Sequence, residues 1–301
     1  MKPFLKWAGG KTLLLNIIKT ELPTNINEYH RFVEPFVGGG AIFLDFLEND
    51  MFEEYVVNDV NSKLIGVYKT IKEKPEELIK GLNVIVDEYL KMEPLSLERE
   101  KMYYDIREKF NQKGNNELVT SIYFIFLNKT CFNGLYRENS KGYFNVPIGS
   151  YKNPKFFDSG QIRNISELLK KKKDNGEDKV ILLNTSFEAL DNYVDENTFV
   201  YFDPPYRPVT KGGFNSYHKS GFNDDKQKEL CEFYQKLNNK NAKLMLSNSD
   251  PKNLDENDLF FDELYKGFNI QRVLAKRNIN SNGADRGAIT ELLIKNYYKD
   301  F

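Results

Sequence analysis

The segment Asp203-Pro204-Pro205-Tyr206 is the strongest candidate in this sequence for a catalytic or binding site. It follows the apolar run 199–202, and a strand over that run would place the segment at a carboxyl end, where open α/β sheets bind ligands. Neither proline has a backbone N–H, so the carbonyl groups of the turn are more easily left facing a ligand, and the carboxylate of Asp203 adds a second acceptor. Taken alone, the segment fits a rigid turn that ends a strand at least as well.

A pair of acceptors of this kind suits an exocyclic amine such as that of adenine. This nitrogen is a poor nucleophile because its lone pair is delocalised into the ring, and two acceptors that hold its hydrogens can pyramidalise it toward a methyl donor. Such catalysis works by positioning and needs neither a metal nor a covalent intermediate. Tyr206 offers a ring on which an extruded base can stack, which is worth about 1–3 kcal/mol. That gain is comparable with the few kcal/mol that unstacking a base costs.

A second candidate site is the glycine turn 37–40, which lies between the apolar runs 31–36 and 41–44. A strand, a glycine turn and a helix in this order let the backbone approach a ligand closely. Phe43 stands where a dinucleotide-binding fingerprint needs glycine or alanine, which argues against a nicotinamide cofactor. Asp59 ends the next apolar run, where an acid can accept hydrogen bonds from ribose hydroxyls, so a nucleoside ligand is favoured. Asp59 has about even odds of simply capping the helix that follows.

Near the amino end, the residues around Gly10, Lys11 and Thr12 look like part of a phosphate-binding loop. The Walker pattern needs glycine five residues before Gly10, and Leu5 occupies that place, so we exclude a phosphate loop. Trp7 is the only tryptophan and lies beside glycines and lysines. It fits the rim of a ligand site, and core packing is a nearly equal alternative.

Composition and charge restrict the remaining interpretations. With 301 residues, of which 40% are apolar, the chain can form one large domain or two modest ones. The net charge of −1 means that a nucleic-acid footprint must be local, and basic residues do cluster at 129–155 and 272–286. No secretory or membrane-spanning segment is evident, which predicts a cytoplasmic protein without membrane association. The cysteines and histidines of the chain are few and widely spaced, namely Cys131, Cys231, His30 and His218. We therefore predict neither a disulfide framework nor a structural metal.

Short apolar runs rich in β-branched and aromatic residues predict a mostly parallel sheet, with strands at 31–36, 54–58, 179–184, 198–203 and 242–248. A stretch with helical spacing between the second and third runs is too long for an ordinary crossover. We therefore predict an inserted, mainly helical subdomain over residues 62–153, with residues 1–61 and 154–301 forming one catalytic α/β domain. Within the insertion, the turn composition at 139–142 predicts a β-hairpin formed by the segments on either side of it.

Taken together, these blocks resemble the DNA adenine methyltransferases of the Dam type, a group related to the methylases of restriction systems that protect GATC. The resemblance runs from Phe4 to about Tyr297, and its motifs stand in the family's order. They are the segments 7–11, 34–40, 203–206, 246–248 and 278–286, together with Asp59 and the insertion.

This resemblance implies a Rossmann-like methyltransferase sheet that binds S-adenosylmethionine, with an inserted, mainly helical DNA-recognition subdomain carrying a β-hairpin. It implies transfer of a methyl group to adenine N6 in double-stranded DNA, in GATC sites and by base flipping, without a metal. A cognate restriction endonuclease is an implied functional partner, with no stable complex required.

The resemblance also assigns site residues in three groups. The catalytic turn comprises Asp203, Pro204, Pro205 and Tyr206. The residues expected to bind S-adenosylmethionine are Trp7, Lys11, Phe36, Gly38, Gly40, Asp59, Phe187 and Asp203. The residues expected to contact DNA are Lys6, Phe132, Asn133, Leu135, Arg137 and Pro147.

Physical arguments agree with two of the DNA assignments. Arg137 can hold guanine O6 and N7 from the major groove, which discriminates by about 1–3 kcal/mol. Phe132 can fill the gap that a departed base leaves, although relatives often have tyrosine there. One position departs from the family, because Ser186 stands where an acid usually precedes the phenylalanine that packs on the cofactor's adenine. A serine hydroxyl can also accept a hydrogen bond.

Two other functions stay open at this level. A catalytically silent DNA-binding regulator could have kept the scaffold, although the intact Asp203, Tyr206 and Asp59 argue against it. Methylation of another substrate, such as cytosine N4, RNA or a protein amide, is the second alternative. Carbon-5 cytosine chemistry is disfavoured because neither cysteine follows a proline in a nucleophile loop.

Overall fold

The computed structural model of the chain describes residues 1–7, 9–207, 222–275 and 289–298. The motif predicted at 278–286, with the basic residues Lys276 and Arg277 before it, lies outside the described residues.

Within the described residues, seven strands form one mixed sheet in the order β3-β2-β1-β4-β5-β7-β6. Their bounds are β1 (Arg31–Glu34), β2 (Glu54–Asn58), β3 (Val180–Leu183), β4 (Thr198–Phe202), β5 (Lys243–Ser249), β6 (Asn269–Ala275) and β7 (Ile289–Lys295). Strands β2, β1, β4 and β5 are parallel, and β7 is antiparallel to both β5 and β6. The predicted α/β class is confirmed, and the five predicted strands correspond to β1 through β5. Strands β6 and β7 were not predicted.

Most of the described helices begin after a capping side chain or at a proline. Their bounds are α1 (Leu15–Thr20), α2 (Ala41–Glu48), α3 (Ser62–Glu73), α4 (Pro75–Lys91), α5 (Leu97–Asn111), α6 (Glu117–Thr130), α7 (Ser159–Leu169), α8 (Asp224–Asn238) and α9 (Phe260–Leu264). Pro75 opens α4, where its missing N–H and fixed φ cost nothing. Five helices are preceded by a side chain that accepts a hydrogen bond from a backbone N–H of the first turn, namely Asn61, Ser96, Asn116, Asp158 and Asn223.

The chain divides into two compact units. Unit 1 comprises Met1–Gly10, Gly38–Asn49 and Asn58–Thr185. It is mainly helical, and its core includes the stacked rings of Phe126 and Phe156 at 5.6 Å.

Unit 2 comprises Lys11–Val37, Asp50–Val57 and Ser186–Phe301. Its core includes the rings of Phe52 and Phe199, which stack at 6.2 Å. The predicted functional division into residues 1–61, 62–153 and 154–301 stays a prediction.

Strand β4 positions the candidate catalytic turn. All five of its residues are buried, as expected for a central parallel strand. It pairs with β1 on one side and with β5 on the other, and both neighbours run parallel to it. Asp203 therefore follows the carboxyl end of β4, and the end of β5 lies beside it.

The chain between α6 and α7 reverses direction where the hairpin was predicted. Isolated antiparallel bridges join Cys131 to Ile148 and Glu138 to Phe144, without regular strands on either side. Asn139 closes the turn, because its N–H donates to the carbonyl of Tyr143 at 2.9 Å. This segment is thus less regular than the predicted hairpin.

Side chains of α5 form hydrogen bonds with backbone groups of this reversal, as a partner strand would do in a regular hairpin. The side-chain amide of Asn111 donates to the carbonyl of Phe144 at 3.0 Å, and its oxygen accepts from the N–H of the same residue at 2.8 Å. Tyr103 and Arg107 both donate to the carbonyl of Val146, at 2.8 and 3.1 Å. Positions 103, 107 and 111 repeat every four residues and so share one face of the helix.

Candidate active site

Asp203 forms an ion pair with a buried lysine in unit 2. Its Oδ1 lies 2.7 Å from Nζ of Lys11, whose side chain is 3% exposed. The same oxygen accepts a hydrogen bond from Oγ of Ser247 at 3.3 Å. Burial raises the pKa of the Asp203 carboxyl, and Lys11 and Ser247 offset part of that rise. Two predicted site residues, Lys11 and Asp203, are therefore in direct contact.

Tyr206 is held at its face and at its hydroxyl. Nζ of Lys11 lies 4.3 Å from the ring centroid, a cation–π contact. The hydroxyl donates to Oε2 of Glu291 at 2.7 Å. Burial, with the charges of Asp203 and Glu291, raises the pKa of Tyr206 well above its ordinary value, so the phenol stays protonated and acts as a donor. The sequence did not single out Glu291, which lies on β7.

The two phenylalanines predicted to contact the cofactor also lie together in unit 2. The rings of Phe36 and Phe187 are 5.5 Å apart, and Phe222 contacts Phe36 edge-on at 5.6 Å. Phe187 follows Ser186 at the start of a short 3₁₀ helix over Phe187–Tyr193. The pair forms an apolar surface suited to an aromatic ring, and Phe222 is a member that the sequence did not indicate.

The glycine turn of unit 1 has the geometry that only glycine adopts readily. Gly38 and Gly40 have φ of +47° and +71°, in the left-handed region. A Cβ added to Gly38 would lie 2.6 Å from Nε1 of Trp7, and one added to Gly40 would lie 2.5 Å from Oη of Tyr68. The same tyrosine hydroxyl donates to the carbonyl of Gly38 at 3.1 Å. Trp7 and Tyr68 therefore fix the shape of the turn.

Asp59 is part of the same arrangement. Its Oδ2 accepts from the N–H of Gly38 at 3.1 Å, and its Oδ1 accepts from the N–H of Asn61 at 2.9 Å. Burial raises the pKa of the Asp59 carboxyl, and these two backbone donors offset part of the rise. The cap of α3 is Asn61, whose side chain accepts from Leu64. The capping alternative for Asp59 is therefore wrong, because the carboxylate instead braces the glycine turn.

Trp7 packs against its neighbours, as the core alternative predicted, and its place at the rim of a ligand site stays a prediction. It is half-buried, with the glycine turn on one side and other aromatic rings on the other. Its ring stacks on Tyr136 at 5.9 Å and 22°, and Tyr136 stacks on Phe124 at 5.2 Å. Tyr136 was not among the predicted site residues, since its position in the expected hairpin indicated only a strand.

The residues predicted to contact DNA lie in unit 1, on or beside the segment that follows α6. Phe132 is 50% exposed, and Asn133 beside it has a left-handed φ of +54°. The N–H of Phe132 donates to the carbonyl of Pro147 at 2.9 Å. Leu135 is half-buried. Arg137 is exposed, and its Nε donates to Oδ1 of Asn145 at 2.7 Å.

Lys6 lies under the same segment. Its backbone N–H donates to the side chain of Asn128 at 2.9 Å, and its Nζ lies 3.9 Å from the ring centroid of Tyr151. Its side chain occupies the space next to Gly134, which leaves no room for a Cβ there. Burial, with the nearby charge of Lys6, lowers the pKa of Lys129 to about 8. This part of unit 1 therefore concentrates positive charge beside an exposed aromatic ring.

Among the described residues, no group of three or more histidine, cysteine, aspartate or glutamate side chains is arranged to hold a metal ion. None of the helices described above has the length and apolar character required to cross a membrane.

Comparison with known proteins gives consistent matches over nearly the whole chain. A family model described as D12 class N6 adenine-specific DNA methyltransferase matches residues 7–279. The chain is 48% identical to the type II methyltransferase M.MjaIII of Methanocaldococcus jannaschii, over 99% of both chains. It is 36% identical to a type II methyltransferase of Lactococcus lactis subsp. cremoris, over 99% of this chain and 96% of the relative. It is 33% identical to the DNA adenine methylase of Escherichia coli, over 97% of this chain and 94% of the relative.

Proposed function

The chain belongs to the D12 class of N6 adenine-specific DNA methyltransferases, and from that premise we propose that it methylates adenine within GATC sites of double-stranded DNA. The methyl donor in this proposal is S-adenosylmethionine, and the target base is flipped out of the helix. The observation that carries the proposal is the carboxylate of Asp203, held by the buried Lys11 next to the ring of Tyr206, at the carboxyl end of a central strand.

Asp203 has the properties required of an acceptor for the target amine. Lys11 and Ser247 both bind Oδ1, so we assign Oδ2 to a hydrogen of the exocyclic nitrogen. A carbonyl of the following Pro-Pro turn would take the second hydrogen. With both hydrogens held, the lone pair of the nitrogen faces away from the ring plane, which is catalysis by orientation and preorganised charge.

Tyr206 provides a stacking surface for the flipped adenine. Lys11 covers one face of its ring, and Glu291 holds its hydroxyl, so the ring is fixed before the base arrives. Stacking on such a ring returns about 1–3 kcal/mol of the free energy spent on unstacking the base.

The residues present fit S-adenosylmethionine as cofactor. When bound, this group supplies an electrophilic methyl carbon attached to a positively charged sulfur. In unit 1, the left-handed turn at Gly38 and Gly40 brings backbone close to a ligand, and the half-buried Asp59 can accept hydrogen bonds from ribose hydroxyls. In unit 2, the paired rings of Phe36 and Phe187 suit an adenine ring. We also assign Trp7, Lys11 and Asp203 to cofactor binding.

The segment after α6 is proposed as the DNA-reading element, and residues 62–153 as the target-recognition subdomain. Its exposed Phe132 suits insertion between bases, and Arg137 has the fork geometry that matches guanine. Lys6, Asn133, Leu135 and Pro147 complete the set of proposed DNA contacts. A DNA substrate is also in keeping with the predicted cytoplasmic location.

The relatives that carry type II methyltransferase names favour a role in restriction-modification. In that role, the enzyme would protect its own sites against a cognate endonuclease without forming a stable complex with it. Co-expression tests the protection that this role requires, because a strain that carries the chain should survive the endonuclease that cuts unmethylated GATC.

The direct test uses unmethylated plasmid, purified protein and methyl-labelled S-adenosylmethionine. We expect label in DNA but not in RNA or protein, recovery of the label as N6-methyladenine after hydrolysis, and digestion by the nuclease that requires methylated GATC. Label in adenine with unchanged digestion would reject GATC and keep the enzyme class. Label in N4-methylcytosine, or binding of DNA without any transfer, would overturn the proposed reaction.

A further inference from the structure

Two side-chain amides lie completely buried next to the proposed catalytic turn in unit 2. Gln227 on α8 and Asn248 at the end of β5 are both 0% exposed. A buried amide is costly unless its donors and acceptors are paired, so the hydrogen bonds of these two side chains define their orientation.

The two amides form a relay with a single direction. Nε2 of Gln227 donates to the carbonyl of Pro205 at 3.1 Å. Oε1 of Gln227 accepts from Nδ2 of Asn248 at 3.2 Å. Oδ1 of Asn248 accepts from the backbone N–H of Arg207 at 3.2 Å. Each amide thus has its nitrogen and its oxygen engaged, and reversing either one would oppose two donors or two acceptors.

The ends of this relay lie on the two peptide groups that flank Tyr206. The carbonyl of Pro205 belongs to the peptide bond that precedes the tyrosine, and the N–H of Arg207 belongs to the one that follows it. Fixing both peptide planes fixes φ and ψ of Tyr206, and so the direction in which its ring leaves the backbone.

We propose that Gln227 is a positioning residue for methyl transfer, acting through Asn248 and the turn to hold the ring of Tyr206 where the target base stacks. This inference rests on the proposed function, since it needs a base to be bound at Tyr206.

Lys11 and Glu291 hold the ring of Tyr206 directly, and Gln227 complements them by holding the backbone before it. Arg207 is tied to the unit through its guanidinium, which pairs with Asp224 at 2.9 Å and Asp258 at 2.6 Å. Its carbonyl accepts from Oγ of Ser249 at 2.7 Å. The contacts of Arg207 all act after Tyr206, whereas Gln227 binds the peptide group before it.

The test compares Gln227→Met and Gln227→Glu with the wild type and with Gln235→Met and Gln235→Glu. Methionine has a similar length and no donor, and glutamate keeps the shape but offers only acceptors at neutral pH. Gln235 is an exposed glutamine on the same helix and serves as the matched control. Single-turnover methylation, KM for DNA, calorimetric affinity for S-adenosylmethionine and Tm are measured for each variant.

We expect Gln227→Met to lower kcat about tenfold, the effect of one lost hydrogen bond, with cofactor affinity unchanged. Gln227→Glu should lower it further, because its carboxylate would face the carbonyl of Pro205. Duplexes with 2-aminopurine at the target position give a second readout. Their emission should be brighter with the Gln227 variants than with the wild type, because a displaced tyrosine ring no longer quenches the flipped base.

Two results would overturn the proposal. One is full kcat and unchanged 2-aminopurine emission in both Gln227 variants. The other is a parallel fall in kcat, cofactor affinity and Tm, which would mean that the amide only stabilises the fold. A wild-type enzyme that transfers no methyl group would instead refute the proposed function, so the two failures are distinguishable.

Discussion

Replacement of Asp203 by asparagine changes one oxygen to an amide nitrogen and leaves the shape of the side chain nearly unchanged. The wild-type Oδ1 accepts from Lys11 at 2.7 Å and from Ser247 at 3.3 Å. An asparagine has one carbonyl oxygen, and the buried ammonium of Lys11 should claim it. The new amide nitrogen would then face the exocyclic amine of the substrate, with a donor against a donor.

The magnitude follows from the hydrogen bonds that are lost. A hydrogen bond to a charged acceptor is worth about 1.5–3 kcal/mol. Removal of one preorganised partner of a transition state costs about a hundredfold to a thousandfold in kcat. We therefore expect Asp203→Asn to lower kcat by about a hundredfold to a thousandfold, with the affinity for DNA largely retained.

The assay is transfer of labelled methyl groups to a duplex with one target adenine, with kcat from the steady state and the rate of the chemical step from a single turnover. Gel-shift titration with the same duplex reports DNA affinity. The change also removes a negative charge beside Lys11, so Tm is measured in parallel. Asp225→Asn is the control, because Asp225 is an exposed acid on α8 whose partner, Lys228, is also exposed.

A change in kcat of less than about tenfold in Asp203→Asn would refute the reasoning, since the carboxylate could then not be the acceptor of the amine. An equal loss of DNA affinity and kcat would contradict it as well, because it would give Asp203 a role in binding the helix rather than in orienting one nitrogen.

Three further predictions concern other parts of the molecule. Asp59→Asn should weaken S-adenosylmethionine binding by about tenfold or more in calorimetry, because it removes a charged acceptor, and unchanged affinity would contradict the ribose assignment. Because burial raises the pKa of Asp203, kcat should begin to fall, as the pH is lowered, at a pH above the ordinary pKa of aspartate. Lys11 lowers that pKa, so Lys11→Met should move this fall in kcat to a still higher pH. A fall at the same pH in Lys11→Met and the wild type would contradict the assignment. Arg137→Ala should weaken specific binding by about 1–3 kcal/mol and relax the preference at one base pair, whereas an equal loss on every sequence would mean a phosphate contact.

Local patterns were sufficient to predict the interior of the sheet. Strand β4 is buried along its whole length, so its apolar run was visible without any knowledge of its neighbours. Strand β6 ends the sheet, and only Val273 among its described side chains is buried, so its sequence gives a weak apolar signal. The reversal at 135–147 was predicted as a self-paired hairpin, but Asn111 on α5 binds part of its backbone, a partner that local sequence cannot indicate.

The candidate site was predictable where adjacent residues share a function. Asp203 and Tyr206 stand in one short segment, and their chemistry could be inferred from it. Glu291 and Gln227 contact the same segment from distant positions in the chain. An acid on a strand and a glutamine near the start of a helix normally face solvent, so only the folded arrangement reveals that these two support the turn.

The indole of Trp7 lies against the glycine turn and is the sole tryptophan of the chain. Excitation near 295 nm would therefore select Trp7 alone, which lies at the loop that we assign to S-adenosylmethionine. Binding of a ligand at that loop should change the tryptophan emission of the unlabelled protein. Its intrinsic fluorescence would therefore report cofactor binding in a stopped-flow experiment.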